Sequence, residues 1–256
     1  MIPNLPTSIL GEITALTITT HDLEESLKYY QRLGFKEVMR ADFPFPWIQV
    51  TDDALLIMFR KDDDPYIALT YYTKDAVKVA TELESRGISF LSTPGKNDMI
   101  KRYIFQSPDN LNISIVGIPD GFRKPSGYTM LTMNPADYTN PETYTNKTAG
   151  MFGELAQPVV DLDVSIAFWE KIGFMVLSRF SSPYPWAILS DGLGIIGLHQ
   201  STHFDFPAIT FFAADMKTKI ENLKAAGLEN FKERGGANIE IATPEQQHIF
   251  LFSMGM

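Results

Sequence analysis

The chain has 256 residues, of which 45% are hydrophobic and 21% are charged, proportions that suit a globular protein with one large domain or two smaller ones. Its formal net charge is −9, and no basic cluster offsets it, which argues against nucleic acid or an anionic membrane as a partner. Because there is no cysteine, disulfides, thiolate nucleophiles and cysteine-bound metals are excluded.

The N-terminal stretch MIPNLPTSILGE has neither Lys nor Arg and no long apolar run, so it does not have the pattern of a signal peptide. No apolar segment approaches the roughly 18 residues of a membrane-spanning helix. We therefore expect a soluble protein located in the cytoplasm.

An offset of 139 residues places the second half of the sequence on the first. FPFPW at 43–47 then falls on SPYPW at 182–186, and HDLEESLKYYQRLGF falls on VDLDVSIAFWEKIGF. The C-terminal half is therefore a divergent copy of the N-terminal half. Each half repeats again, because an Asp and a Gly recur 12 residues apart in four places: Asp22 and Gly34, Asp75 and Gly87, Asp161 and Gly173, Asp215 and Gly227.

Each interval between such an Asp and its Gly predicts a helix. Asp caps the first turn, Gly suits the left-handed residue that ends a helix, and the apolar residues between them form one stripe. Strand-like runs precede the four helices, in chain order ITALTIT, IALTYYT, ELAQPVV and AITFFAA, and further β-branched and aromatic runs follow. Each of the four units is therefore predicted to contain a strand, a helix and about three strands.

Residues 118–150 interrupt the repeats with Pro, Gly, Thr and Asn and have no sustained period. We interpret this interval as a crossover between modules. The predicted organisation is an N-terminal module at 1–117, a linker at 118–150 and a C-terminal module at 151–256.

The stretches DLEESLKYYQRLGF and SPDNLNISIV in the first half, with DLDVSIAFWEKIGF, LSDGLGIIGLHQ and TPEQQHIFLF in the second, resemble the vicinal oxygen chelate superfamily. That superfamily includes glyoxalase I, extradiol dioxygenases and bleomycin-resistance proteins, and the resemblance covers about residues 12–117 and 151–253. It implies an α+β fold in which four βαβββ units form two glyoxalase/bleomycin-resistance-like modules with half-open barrel sheets. The same fold supports lyases, dioxygenases, isomerases and plain binding proteins, so it does not by itself specify a function.

In metal-using members of that superfamily, the ligands come from the first and last strands of each unit. The matching first-strand positions here are Ala15, Ala68, Glu154 and Ala208, and the last-strand positions are approximately Met58, Ser114, Gly197 and Phe250. A divalent cation needs three or four lone-pair donors, which these positions do not supply. His199 and His248 each lie two residues from an expected position, and residues i and i+2 share a strand face. The alternative is therefore one divalent metal ion held by Glu154, His199 and His248.

The two Pro-rich pentapeptides have two interpretations. Since proline cannot donate into a sheet, both belong at a sheet edge or in a loop that enters a strand. In the first interpretation, the aromatic pairs Phe45 with Trp47 and Tyr184 with Trp186 form a flat apolar wall for a ligand. In the second, the prolines protect an edge from unwanted pairing and the Trp side chains fill the core.

The leading hypothesis is a protein that binds a small apolar or aromatic molecule without a metal or another cofactor. Its expected ligand contacts are Phe45, Trp47, Tyr184, Trp186, Glu154, His199 and His248. The alternative is a divalent-metal-dependent lyase, isomerase or dioxygenase built on the three polar residues of this set. A third alternative is a structural or interaction protein whose cavities are filled by its own side chains. The sequence leaves open whether the chain is a monomer or a homodimer.

Overall fold

The computed structural model describes residues 4–118, 140–236 and 238–254. Most of the interval predicted as a linker, 119–139, lies outside the described residues, so the predicted module boundaries stay predictions. The described residues form 15 strands, four α-helices and one short 3-10 helix. None of these helices has both the length and the apolar character that crossing a membrane requires.

The first module contains β1 (Ile13–Thr20), α1 (Leu23–Arg32), β2 (Lys36–Ala41), β3 (Trp47–Thr51), β4 (Leu56–Lys61), β5 (Ile67–Thr73), α2 (Ala76–Ser85), β6 (Arg102–Gln106) and β7 (Asn112–Gly117). The 3-10 helix lies at Pro141–Thr143. The second module contains β8 (Met151–Pro158), α3 (Leu162–Lys171), β9 (Met175–Phe180), β10 (Trp186–Ser190), β11 (Ile195–His199), β12 (Ala208–Ala213), α4 (Met216–Ala225), β13 (Phe231–Glu233), β14 (Ile239–Ala242) and β15 (His248–Ser253).

The predicted α+β fold of two modules is confirmed, with one difference in the second unit. Only β6 and β7 follow α2 as strands among the described residues, and an isolated bridge between Ser92 and Ile104 stands where a third strand was expected. All four predicted helices begin directly after the predicted Asp, and all four glycines after them have positive φ, between 78° and 99°.

Each module is one open, mixed sheet in which two units meet through their first strands. β1 pairs with β5 and β8 with β12, both antiparallel. The strand orders are β2-β3-β4-β1-β5-β7-β6 and β13-β14-β15-β12-β8-β11-β10-β9. Because side chains alternate along a strand, each sheet has one face packed into the main core. The opposite face of the same sheet, which does not contribute to that core, is called the inner face below.

The main buried cluster continues from one module into the other. The ring of Phe35, just after α1, lies 6.3 Å from that of Phe211 on β12, measured between centroids. Phe105 on β6 lies 6.4 Å from Phe168 on α3. Burial of such large rings dominates the energy of packing, so the two modules share a core.

The segment that precedes each module is hydrogen-bonded to the other module. The Ser8 hydroxyl donates to Asp191 Oδ2 at 2.6 Å, and Asn146 Nδ2 donates to Asp52 Oδ2 at 3.3 Å. Asp52 and Asp191 are equivalent in the 139-residue repeat and both are buried. Burial raises the pKa of Asp52 to about 6 and also raises the pKa of Asp191, although backbone N–H groups and the partners above act in the opposite direction.

Candidate functional site

The repeated pentapeptides form equivalent loops at the edge of each sheet. Each loop leads into a strand that begins with its Trp, Trp47 on β3 and Trp186 on β10, as predicted. In both loops the peptide bond before the first proline is cis. The indole N–H donates to the carbonyl of the first residue of the pentapeptide, Phe43 or Ser182, at 3.3 Å in each case. The two copies therefore fold into the same local structure, with a half-buried Trp.

In the second module, three rings stack in a row across adjacent strands. Phe180 and Trp186 lie 4.1 Å apart with 17° between their planes, and Trp186 and His199 lie 5.5 Å apart with 5° between theirs. Tyr184 adds its hydroxyl, 3.3 Å from His199 Nδ1. We call Phe180, Tyr184, Trp186 and His199 the aromatic corner. Phe180 is 42% exposed, so the row is open to solvent at its outer end.

The inner end of the row is a buried hydrogen bond between His199 Nε2 and Glu154 Oε1, 2.8 Å long. Glu154 is on β8, and its carboxylate lies over Gly197 of the neighbouring strand, where any Cβ would overlap it. Burial and then the charge of Glu154 raise the pKa of Tyr184. A buried carboxylate must be hydrogen-bonded to be tolerated, and His199 provides that bond.

His248, the other predicted polar residue, belongs to a separate pair. Its Nδ1 lies 2.7 Å from Glu240 Oε1, and the ring of Phe206 stacks on it. Arg234 also donates to Glu240, through Nε at 2.7 Å and through Nη2. Burial alone would raise the pKa of Glu240, but the hydrogen bonds from Arg234 and His248 outweigh it and lower that pKa. The sequence offered no signal for Glu240, because its partners are cross-strand neighbours.

Aromatic side chains from the loop between β11 and β12 cover much of the inner face of the second module. They lie between the pair of Glu154 with His199 and the pair of Glu240 with His248. Phe204 lies 5.6 Å from His199 and 5.5 Å from Phe250, again between ring centroids. Together with Phe206 it packs on a small cluster formed by Ala156, Ala208 and Phe250. Two of the positions aligned with family metal ligands, Ala208 and Phe250, are thus part of an apolar layer.

The donors present do not fit a divalent metal ion of the kind that the family resemblance implies. Across residues 4–118, 140–236 and 238–254, no three or more His, Asp or Glu side chains are grouped so that they could hold one. Glu154 and His199 bond to each other, and His248 bonds to Glu240. The structure therefore provides no assembled ligand set for the metal-dependent alternative.

Phe45 and Trp47 lie in the first module, apart from the aromatic corner. There Arg60 occupies the position that corresponds to His199 in the repeat, and it pairs across strands with Trp47. The Arg60 guanidinium lies 5.4 Å from the ring centroids of both Phe45 and Tyr66. The predicted set thus divides among three places: the aromatic corner with Glu154, the pair of His248 with Glu240, and the surroundings of Arg60.

Comparison with known proteins gives a family match over residues 12–129, to the Glyoxalase/Bleomycin resistance protein/Dioxygenase superfamily. A search of curated protein sequences gave no significant match. Similar solved structures include the 2,3-dioxygenase LapB from Pseudomonas sp. KL28, which is 17% identical with a TM-score of 0.62, over 98% of this chain and 94% of that one. Another is homoprotocatechuate 2,3-dioxygenase from Arthrobacter globiformis, 12% identical with a TM-score of 0.63, over 99% of this chain and 83% of that one.

At these identities the structural likeness shows a shared fold, and activity is not transferred with it. The likeness extends over both modules, whereas the family match covers the first module and the residues directly after it. The first module, with the residues directly after it, thus matches the Glyoxalase/Bleomycin resistance protein/Dioxygenase superfamily, and both modules share the fold of the solved dioxygenases.

Proposed function

We propose that this protein binds a small, flat apolar or aromatic molecule at the aromatic corner, without a metal ion. The observation that carries the proposal is the row of stacked rings from Phe180 through Trp186 to His199, which is open at one end and bonded to Glu154 at the other. A ligand ring that extends the row gains stacking energy of about 0.5–1.5 kcal/mol for each aromatic contact in addition to burial.

The polar groups of the corner favour a particular kind of ligand. The Tyr184 hydroxyl can donate or accept, and the Glu154 carboxylate behind His199 favours a nearby positive charge. The net charge of −9 acts in the same direction. We therefore expect neutral or cationic aromatic compounds to bind more tightly than anionic ones.

The hydrogen bonds also support binding rather than metal chemistry at this place. Use of Glu154, His199 and His248 as ligands of one metal ion would require both carboxylate–histidine pairs to separate. Each pair is at least partly buried, and breaking such bonds has a free-energy cost. Binding of an aromatic ligand to the outer end of the row leaves both pairs intact.

The test is a titration followed by tryptophan fluorescence excited at 295 nm, in buffer with EDTA, using benzyl alcohol, benzylamine and catechol as probes. The Trp47→Phe variant should keep a saturable change in emission, because Trp186 remains. The Trp186→Phe variant should lose it. The His199→Gln variant should bind about tenfold more weakly, which corresponds to about 1.4 kcal/mol. An emission change that persists unaltered in Trp186→Phe, or no saturable change with any probe, would contradict the proposal.

A second arm distinguishes the metalloenzyme alternative. Elemental analysis is made on protein purified without an affinity step that uses metal, and the Glu154→Ala variant is compared with it. About one equivalent of a divalent metal that disappears in the variant would support a lyase, isomerase or dioxygenase and overturn the metal-independent proposal. Probe binding that requires added Fe²⁺, Mn²⁺ or Zn²⁺ would have the same meaning.

A further inference from the structure

The inner face of the first module differs chemically from that of the second. It has a cavity of about 20 Å³, whose polar lining comes from Thr17, Arg60, Tyr66, Thr70, Arg102 and Ser114. Thr17 and Thr70 hydrogen-bond to each other through their hydroxyls at 2.7 Å. Met58 and Val116 complete the lining, and a cavity of this size accepts only a compact group, one or a few atoms the size of a water oxygen.

Arg60 is held rigidly at this cavity. Its guanidinium lies over the ring of Phe45 and over that of Tyr66, 5.4 Å from each centroid, and 15% of its side chain is exposed. One amino group, Nη2, donates to Asp62 at 2.6 Å. The Nε–H, in contrast, is buried and has no acceptor among the described residues. A buried donor without an acceptor is costly, so this atom marks a place where an acceptor is lacking.

Arg102 brings a second positive charge to the same cavity. It is exposed, and none of the ion pairs found in the described parts of the chain involves it. Burial raises the pKa of the Tyr66 hydroxyl, while the charges of Arg102 and Arg60 both lower it, so both guanidinium groups act on that hydroxyl. With Asp62 compensating one of the two arginines, the cavity keeps an excess of one positive charge, although the chain as a whole carries −9.

We propose that this cavity binds the carboxylate group of a small monoanion, between Arg60 and Arg102. A single excess positive charge matches a monoanion, and guanidinium N–H groups match the two oxygens of a carboxylate in geometry. The Nε–H of Arg60, which has no acceptor among the described residues, is the group that such a carboxylate would meet. A phosphate group is bulkier and carries more charge than the cavity offers.

The second module cannot provide an equivalent site. In the repeat, His199 replaces Arg60 and Ala156 replaces Thr17, and Phe250 stands at the position of Ser114. Phe204 and Phe206 cover that face as well. The carboxylate site is therefore separate from the aromatic corner. It favours an anionic ligand, whereas the aromatic corner favours a neutral or cationic one.

The test uses acetate as the probe on the full chain and follows the Nε–H resonances of arginine by NMR at constant ionic strength. We expect a saturable shift of the Arg60 Nε–H signal, identified by its absence in Arg60→Lys. Arg102→Gln should weaken acetate binding about tenfold, and because Arg102 is exposed, this variant should fold normally. The matched control is Arg179→Gln, in the second module, where Arg179 pairs with Asp163 at 2.7 Å; it should leave acetate binding unchanged.

Neutral acetamide, which has the same shape, should cause no saturable shift. The proposal would be overturned if acetate gave no saturable shift, if Arg102→Gln bound acetate as well as the unmodified chain, or if chloride or inorganic phosphate competed more strongly than acetate. His199→Gln should not affect acetate binding. This last comparison keeps the outcome independent of the function proposed for the second module.

Discussion

Gly197 is the residue that allows Glu154 to reach His199. A Cβ at this position would overlap the carboxylate of Glu154. We therefore expect Gly197→Ala to displace the carboxylate, break its bond to His199 and lower the free energy of unfolding by about 1–3 kcal/mol, the cost of leaving a buried polar group without its hydrogen bond. Urea denaturation measures this loss, and tryptophan fluorescence should show weaker binding of benzyl alcohol.

A matched control is Gly117→Ala at the end of β7. There an added Cβ would have no neighbour closer than 3.5 Å, which is ordinary van der Waals contact. This substitution should change the free energy of unfolding by less than half as much. Equal losses in the two variants would mean that Gly197 matters as a strand glycine and not as room for Glu154.

Single residues show where sequence reasoning succeeds and where it stops. The repeat placed Glu154 on a first strand and His199 near the end of a last strand, and the two are joined by a 2.8 Å hydrogen bond, whereas His248 lies with Glu240. The role of Arg60 was not predicted, because an arginine on a strand usually points to solvent. Two rings from separate loops and Arg102 from a distant strand contribute to the surroundings of Arg60.

At the level of secondary structure, the four Asp caps have the same sequence pattern but not the same hydrogen bonds. Asp161 accepts from the backbone N–H groups of Asp163 and Val164, whereas within the described residues Asp215 makes no side-chain cap bond and its Oδ1 is buried without a hydrogen-bond partner. Capping by Asp contributes about 0.5–2 kcal/mol relative to Ala. Asp161→Ala should therefore lower the free energy of unfolding by about 1 kcal/mol.

Asp215→Ala is the matched control for this prediction. It removes an unsatisfied buried oxygen and no cap bond, so its cost should be clearly smaller than that of Asp161→Ala. Thermal or urea denaturation of both variants in one buffer measures the two losses in the free energy of unfolding. A larger loss in Asp215→Ala would show that its contact with Lys219, 3.7 Å away, stabilises α4 more than a cap stabilises α3.

Helices and first strands could be predicted because their signals are local. The Asp and Gly that bound each helix act within one or two turns, and these positions agree with the structure in all four units. The third strand of the second unit could not be placed this way. Ser92 makes one isolated bridge, to Ile104, in the part of the chain that the structure describes. Whether a short run pairs depends on the neighbouring strand more than on its own residues.

At the level of the whole molecule, the two modules are tied together by equivalent hydrogen bonds that no local pattern predicts. The bond from Ser8 to Asp191 spans 183 residues, and that from Asn146 to Asp52 spans 94. The repeat made the two aspartates equivalent but gave no sign that the segment before one module would bind the other. Their burial makes the stability of this junction depend on pH.

The dependence has a definite sign for Asp52. Its pKa is raised from the ordinary value of 3.8 to about 6 by burial, so the folded protein holds this proton more tightly than the unfolded chain does. The stabilisation is complete below pH 3.8 and is lost as the pH rises through about 6. A shift of this size corresponds to roughly 3 kcal/mol. Burial raises the pKa of Asp191 too, which adds an effect of the same sign.

Comparison with Asp52→Asn isolates the contribution of Asp52 from the other groups that titrate in this range. The Asn side chain keeps an oxygen for the N–H groups of Ala54 and Leu55 but has no proton to lose. Its new contact with Asn146 adds a cost that does not vary with pH. Urea denaturation of both proteins from pH 4 to 8 should show the unmodified chain losing stability relative to the variant by a few kcal/mol, mostly between pH 4 and 7. Parallel curves would mean that Asp52 is ionised in the folded protein throughout, with the junction carrying a buried negative charge that Asn146 and the backbone fully stabilise.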